Sequence, residues 1–362
     1  MAYTTIDDPS AYFHTQLYTG TGSALSITND ANAGDFKPDW IWLKSRNNAT
    51  NHNVFDSSRG ETKRLYPNLT DAEDTVSGFT LDSDGFSTGT SSVGDINVSA
   101  KTYVAWQWKA NGGTTTSVSA TGTAHESTMA GTHQANTTAG FSIVTFSTAS
   151  EDLGDKLITH GIGKKPEWII IKSRSSGDWY CHHISANTND SKYIRLNLSN
   201  APSDSGSRNT FDTSNITTTQ FAVDHNNIVA DNHNHVAYVF APIQGYSKFG
   251  SYTGNGNTDG PFVYTGFKPA WLMIKRTDAS AEWHIWDNKR EDYNGNPNNT
   301  ALRANNNNAE SDSTDYSIDF LSNGFKLRNA SNLDNASSST QVYMAFAEHP
   351  FVGSDGVPTT AR

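Results

Sequence analysis

Short apolar runs separated by clusters of Asn, Gly, Ser and Asp recur along the whole chain. Trp168-Ile169-Ile170-Ile171-Lys172 lies between Pro166 and the polar cluster Ser175-Ser176-Gly177. A β-branched run this short cannot persist as a helix and predicts a strand buried on both faces. Val342-Tyr343-Met344-Ala345-Phe346-Ala347 reads the same way. The last third of the chain holds about eight such runs, and nowhere does a helical period persist over ten residues or more. This spacing predicts an all-β protein of sandwich or jelly-roll type.

The runs are not independent of one another. Phe36-Lys37-Pro38-Asp39-Trp40-Ile41-Trp42-Leu43-Lys44, Lys164-Lys165-Pro166-Glu167-Trp168-Ile169-Ile170-Ile171-Lys172 and Phe267-Lys268-Pro269-Ala270-Trp271-Leu272-Met273-Ile274-Lys275 share the frame Lys-Pro-x-Trp, three apolar residues, Lys. A second phrase follows each: Val104-Ala105-Trp106, Val236-Ala237-Tyr238 and Met344-Ala345-Phe346, with alanines 67, 71 and 76 residues after the respective prolines. Two phrases in one order, three times over, indicate three tandem copies of a single unit. Phe55-Asp56-Ser57-Ser58-Arg59 matches Trp286-Asp287-Asn288-Lys289-Arg290, while the middle copy carries His182-His183 there instead. The first and third copies are therefore the closer pair.

Composition places the boundaries. Residues 113–138 are almost wholly Gly, Ser, Thr and Ala and read as a linker or exposed excursion between modules at 1–112 and 139–245. A third module spans 246–352, and 353–362 form a loose tail. The expected fold is three tandem β-sandwich or jelly-roll-like modules.

Charge narrows the function. A net charge of −11 with 17% charged residues argues against a nucleic-acid partner, which a basic stripe would serve. No apolar run is long enough to insert in a membrane, and the opening Met1-Ala2-Tyr3-Thr4-Thr5-Ile6-Asp7 has neither the basic nor the apolar region of a secretion signal. One cysteine, Cys181, excludes an internal disulfide framework and reads as a small buried residue.

Candidate sites follow from what recurs. Asp56 with Arg59 and Asp287 with Arg290 read as structural ion pairs bracing the turn after a core strand. Trp40, Trp168 and Trp271 hold one frame position in all copies and read as core. Non-recurrent aromatics are the better ligand candidates: Trp108, Trp179 and Tyr180 are assigned to ligand binding. His182, His183, His225, His233 and His235 are weighed as a metal set, and Asp30, Asn32, Asp82 and Asp84 as calcium ligands; no metal or cofactor is expected, because Asp231-Asn232-His233-Asn234-His235 reads as an Asn-rich turn whose imidazoles meet water, and the acidic groups lack the further ligands of a calcium loop. No carboxylates fall at matching places in all copies, so no catalytic residue is assigned and the protein is not expected to be an enzyme.

Taken together, Tyr252-Thr253-Gly254-Asn255-Gly256, Val263-Tyr264-Thr265-Gly266-Phe267-Lys268-Pro269-Ala270-Trp271, Ile318-Asp319-Phe320-Leu321-Ser322-Asn323-Gly324-Phe325-Lys326 and Ala345-Phe346-Ala347-Glu348-His349-Pro350-Phe351 resemble structural proteins of tailed bacteriophages, especially marine ones. Met1-Ala2-Tyr3-Thr4-Thr5-Ile6 and Phe55-Asp56-Ser57-Ser58-Arg59-Gly60 extend the resemblance over essentially the whole chain. It implies a virion component assembled in the host cytoplasm, a tail fibre or tail spike that recognises the host by contacting a surface glycan or protein receptor. A capsid decoration protein is the alternative, and a virion polysaccharide depolymerase the third reading. Other virion proteins are the expected partners. Fibres and spikes imply a homotrimer; three modules per chain also permit a monomer that builds its own pseudo-threefold.

Overall fold

A computed structural model describes residues 2–29, 36–90, 95–122, 126–148, 155–187, 189–206, 210–224, 228–229, 232–291 and 297–359. The fold is all-β, with sheets that are antiparallel but for one short parallel pair and, among the described residues, only three short 3-10 turns.

Each repeat copy contributes one inner sheet. In the first, the order is Phe13–Thr19, Thr102–Trp108, Trp40–Ser45, Asn53–Asp56, Lys63–Leu65, Asp74–Thr75. The third has the same order: Ser247–Thr253, Thr340–Pro350, Phe267–Arg276, Trp283–Asp287, Thr300–Arg303, Ser311–Asp312. The second runs Phe141–Ser147, Asn234–Phe240, Trp168–Ser173, Trp179–His183, Lys192–Arg195, Ser203–Asp204, with two further strands outside Phe141–Ser147. A smaller outer sheet accompanies each, for example Phe262–Tyr264, Gly324–Leu327 and Ile318–Leu321 in the third copy.

Strand alternation explains the unbroken apolar runs. Ile41 and Leu43, Ile169 and Ile171, and Leu272 and Ile274 face outward into three separate cores, each closed by an outer sheet. Trp40 and Trp42, Trp168 and Ile170, and Trp271 and Met273 face the other way, into one cluster shared by all three inner sheets. The three copies thus surround a common axis. At that axis Trp108, Phe240 and Phe346 meet, with ring centroids 5.5–6.5 Å apart. These three residues each pair with their own copy's frame tryptophan, Trp40, Trp168 and Trp271. The frame tryptophans are the core residues their recurrence suggests. Their indole N–H groups have no partner among the described residues, a cost of about 1–3 kcal/mol each. Ring packing offsets it: Trp40 lies 4.4 Å from Trp108 and 4.5 Å from Tyr238.

Two sequence expectations change here. Pairing across the central strands sets Trp106 level with Tyr238 and Met344, so the third copy's counterpart of Val104-Ala105-Trp106 is Val342-Tyr343-Met344. Matching it to Met344-Ala345-Phe346 slips the register by two residues, which preserves the face and so goes unnoticed in a hydrophobic pattern. Nor does the stretch 113–138 run free as a linker. Thr116–Val118 and Gly131–Asn136 extend the second inner sheet, and Glu126–Thr128 pairs in parallel with Asp155–Thr159. Small polar residues suit these edge positions, where packing demands little of a side chain.

Candidate functional site

The seams between copies carry the buried charge. Asp56 accepts the amides of Ser58 and Arg59 on Oδ1 (3.0 and 2.8 Å) and the Arg59 Nε–H on Oδ2 (2.5 Å), so the turn closes on its own ion pair. Asp287 repeats this with Lys289, Arg290 and the Arg290 guanidinium at 2.6 Å. Each pair also reaches a neighbouring copy. Tyr238 of the second copy donates to Asp56 Oδ2 of the first, and Trp106 Nε1 of the first donates to Asp287 Oδ2 of the third at 2.9 Å. Glu73 and Glu310 close the network: Arg59 and Arg174 bind Glu73 across one seam, Arg290 and Arg46 bind Glu310 across another. Burial disfavours the Arg59 charge, but Asp56, Tyr238 and Glu73 together hold it protonated above its usual range. Where the second copy has His183 in place of the aspartate, the third-copy equivalent of Tyr238 and Trp106 is Met344, which has no proton to donate; His183 Nε2 bonds the Tyr343 carbonyl instead, at 3.1 Å.

Further along the seams, His52, Trp179 and Trp283 occupy one register position, opposite Lys44, Lys172 and Lys275. Each ring N–H donates to a backbone carbonyl of the adjoining copy: Arg303 (2.9 Å), Tyr66 (2.8 Å) and Arg195 (3.1 Å). The three lysines are fully buried. Lys172 and Lys275 bind carbonyls of a neighbouring copy, Thr70 and Ser199, as well as their own. Burial lowers all three ammonium pKa values to about 8. In the second and third copies the terminal lysine of the repeat frame is thus a stitch between copies, while Lys44 bonds the Ser45 and Asn48 carbonyls of its own copy; the sequence reading left this role unassigned, and the recurrence of the lysine at the end of an apolar strand was the available signal.

At the opposite end, where the central strands begin, two equivalent grooves between copies differ in what fills them. The one between the first and second is filled: Gln134 donates to Ser57 and Ser58 Oγ (2.8 Å each) and accepts the Asn111 and Gly113 amides at 3.1 and 2.7 Å. Its counterpart between the third and first is an open cleft of about 190 Å³, floored by Phe13 and Ala270 and rimmed by Asn288, Lys289, Glu348 and His349.

A family model described as a domain of unknown function, DUF7483, matches residues 8–350. The chain belongs to that family. No curated protein matches it, and no solved structure does.

The DUF7483 fold separates the sequence-derived candidates. Asp56–Arg59 and Asp287–Arg290 are the ion pairs expected, wholly buried. Trp108 and Trp179 are not ligand platforms: each is 1% exposed, inside the shared core. Trp179 looked non-recurrent only because its first-copy equivalent is histidine. Tyr180 is half-buried and packs on Tyr193 at 5.4 Å. His182 packs on Phe211 and His235 on Phe146, and His233 lies beside Ser173 Oγ at 3.3 Å. His225, Asp30 and Asn32 lie outside the described residues. Among the described residues no three His, Cys, Asp or Glu side chains gather as a metal set. Asp82 accepts the hydroxyls of Thr80 and Ser87, bracing its own turn. Cys181 is buried, and burial pushes its thiol well above the usual range.

Proposed function

We propose that this protein is a structural component of a tailed-bacteriophage virion, a tail fibre or spike element that contacts the host surface by binding and not by catalysis. The observation that carries the reading is the closed arrangement of three repeat copies about one axis, braced by buried ion pairs at the seams. A body of this kind is stiff, and it fits a threefold position while consisting of one chain. It therefore replaces the homotrimer that a fibre otherwise requires.

Host contact falls to the periphery. Phe262 and Tyr264 alternate on one outer strand of the third copy and are 46% and 47% exposed, the arrangement that a stacking contact with a sugar ring uses. Asn307 and Asn308 lie exposed after the Thr300–Arg303 strand and supply neutral hydrogen-bonding groups. Gold-labelled antibody on intact virions tests the placement: label on the tail supports the reading, and label spread over the head replaces it with capsid decoration.

A further inference from the structure

We propose that the outer edge of the Phe13–Thr19 strand, with the cleft beside it, docks one extended strand of a partner polypeptide carrying a glutamine opposite Thr15. The second copy displays the occupied form of this site. There Phe141–Ser147, the equivalent of Phe13–Thr19, pairs along its outer edge with Gly131–Asn136. Gln134 stands opposite Ile143 and turns fully buried into the groove, onto Ser57 and Ser58.

In the first copy the same edge ends its sheet among the described residues. Tyr12 accepts from Lys109 across the inner ladder, so alternation aims the peptide groups of Phe13, Thr15 and Leu17 at the outer edge. Thr15 is the register equivalent of Ile143, and Asn288 and Lys289 are the equivalents of Ser57 and Ser58. Thr15 is 4% exposed and lines the cleft, and its buried hydroxyl has no hydrogen-bond partner among the described residues. An incoming strand would continue the ladder, as peptides do when they add to a sheet edge. Its glutamine would meet Asn288 and the Thr15 hydroxyl, two polar partners where Gln134 finds Ser57 and Ser58. Among the described residues, the stretch 113–138 supplies such a strand to the second copy alone; the cleft of the first would take one from another chain.

The probe is a fluorescent peptide with the sequence of residues 130–139, titrated against the full chain by polarisation. Saturable binding is expected, weakened at least tenfold by Gln134→Leu within the peptide and by Asn288→Trp in the protein, with the protein's melting temperature unchanged. Thr15→Val, which keeps strand and volume and removes only the hydroxyl, is the second variant and is expected to weaken binding about fivefold, the loss of one hydrogen bond. Absence of saturable binding up to millimolar peptide, or binding that these changes leave intact, overturns the proposal. Self-association of the chain that Asn288→Trp abolishes also overturns it, since the occupant is then a second copy.

Discussion

The phenol of Tyr238 donates to Asp56 at 2.7 Å across the seam between second and first copies, while Asp56 holds Arg59 within its own turn. Removing the carboxylate strands a buried guanidinium, so Asp56→Ala is expected to cost about 3–5 kcal/mol, and Tyr238→Phe, which leaves the ion pair whole, about 1 kcal/mol. Replacing Asp56 and Arg59 together by leucines is expected to cost less than Asp56→Ala alone. Urea unfolding of the four proteins decides it.

Three histidines tie stability to acid. His52, His160 and His183 each accept an N–H on Nδ1, from Trp42, Ile162 and Ser185, and face a carbonyl with Nε2. A second proton would set two N–H groups against each other, and burial adds to the penalty. His160 and His183 are lowered to about 4, and His52 well below its ordinary value. The unfolded chain takes up those protons below about pH 6.5 and the folded chain does not, so stability falls as pH drops from 6.5 towards 4. The loss by pH 5 is about 2 kcal/mol per histidine, read as a shift in urea midpoint. His183→Gln, with no titrating group, is expected to flatten that slope; an unchanged slope counts against the assignment.

Lys44, Lys172 and Lys275 are enclosed at the seams, each fully buried. Amine acylation of the native protein followed by peptide mass spectrometry is expected to leave these three unmodified while exposed lysines react. Their labelling is expected to begin only with global unfolding, since each is buried and exposing Lys172 or Lys275 also breaks a bond to a neighbouring copy.

A chain that completes its own threefold has no need of two more. Sedimentation is expected to give the mass of one chain, 39.4 kDa. A species three times heavier would restore the homotrimer.

The repeat, the all-β class and the buried Asp–Arg pairs were legible because each recurs in residue type. What stayed hidden depends on register. The third copy's slip from Val342-Tyr343-Met344 to Met344-Ala345-Phe346 leaves every side chain on its proper face, so only the hydrogen-bonded partner of Trp271 reveals it. Trp179 and Trp283 are equivalent, but His52 in the first copy masks the pattern; all three share an N–H donor and not a shape. The strands within 113–138 were illegible for another reason. Gly131–Asn136 is held by a ladder and by one buried glutamine, and neither leaves a hydrophobic trace.

Closure within one polypeptide changes what mutation can do. In an assembly of three identical chains every substitution appears three times, so a change that improves one contact is imposed on the other two. Here one geometric position carries aspartate in the first and third copies, Asp56 and Asp287, but histidine in the second, His183, each matched to its own neighbour. Loops on the three flanks are equally free to diverge, and one gene can present three unlike surfaces from a frame that needs only a single inheritance to stay symmetric.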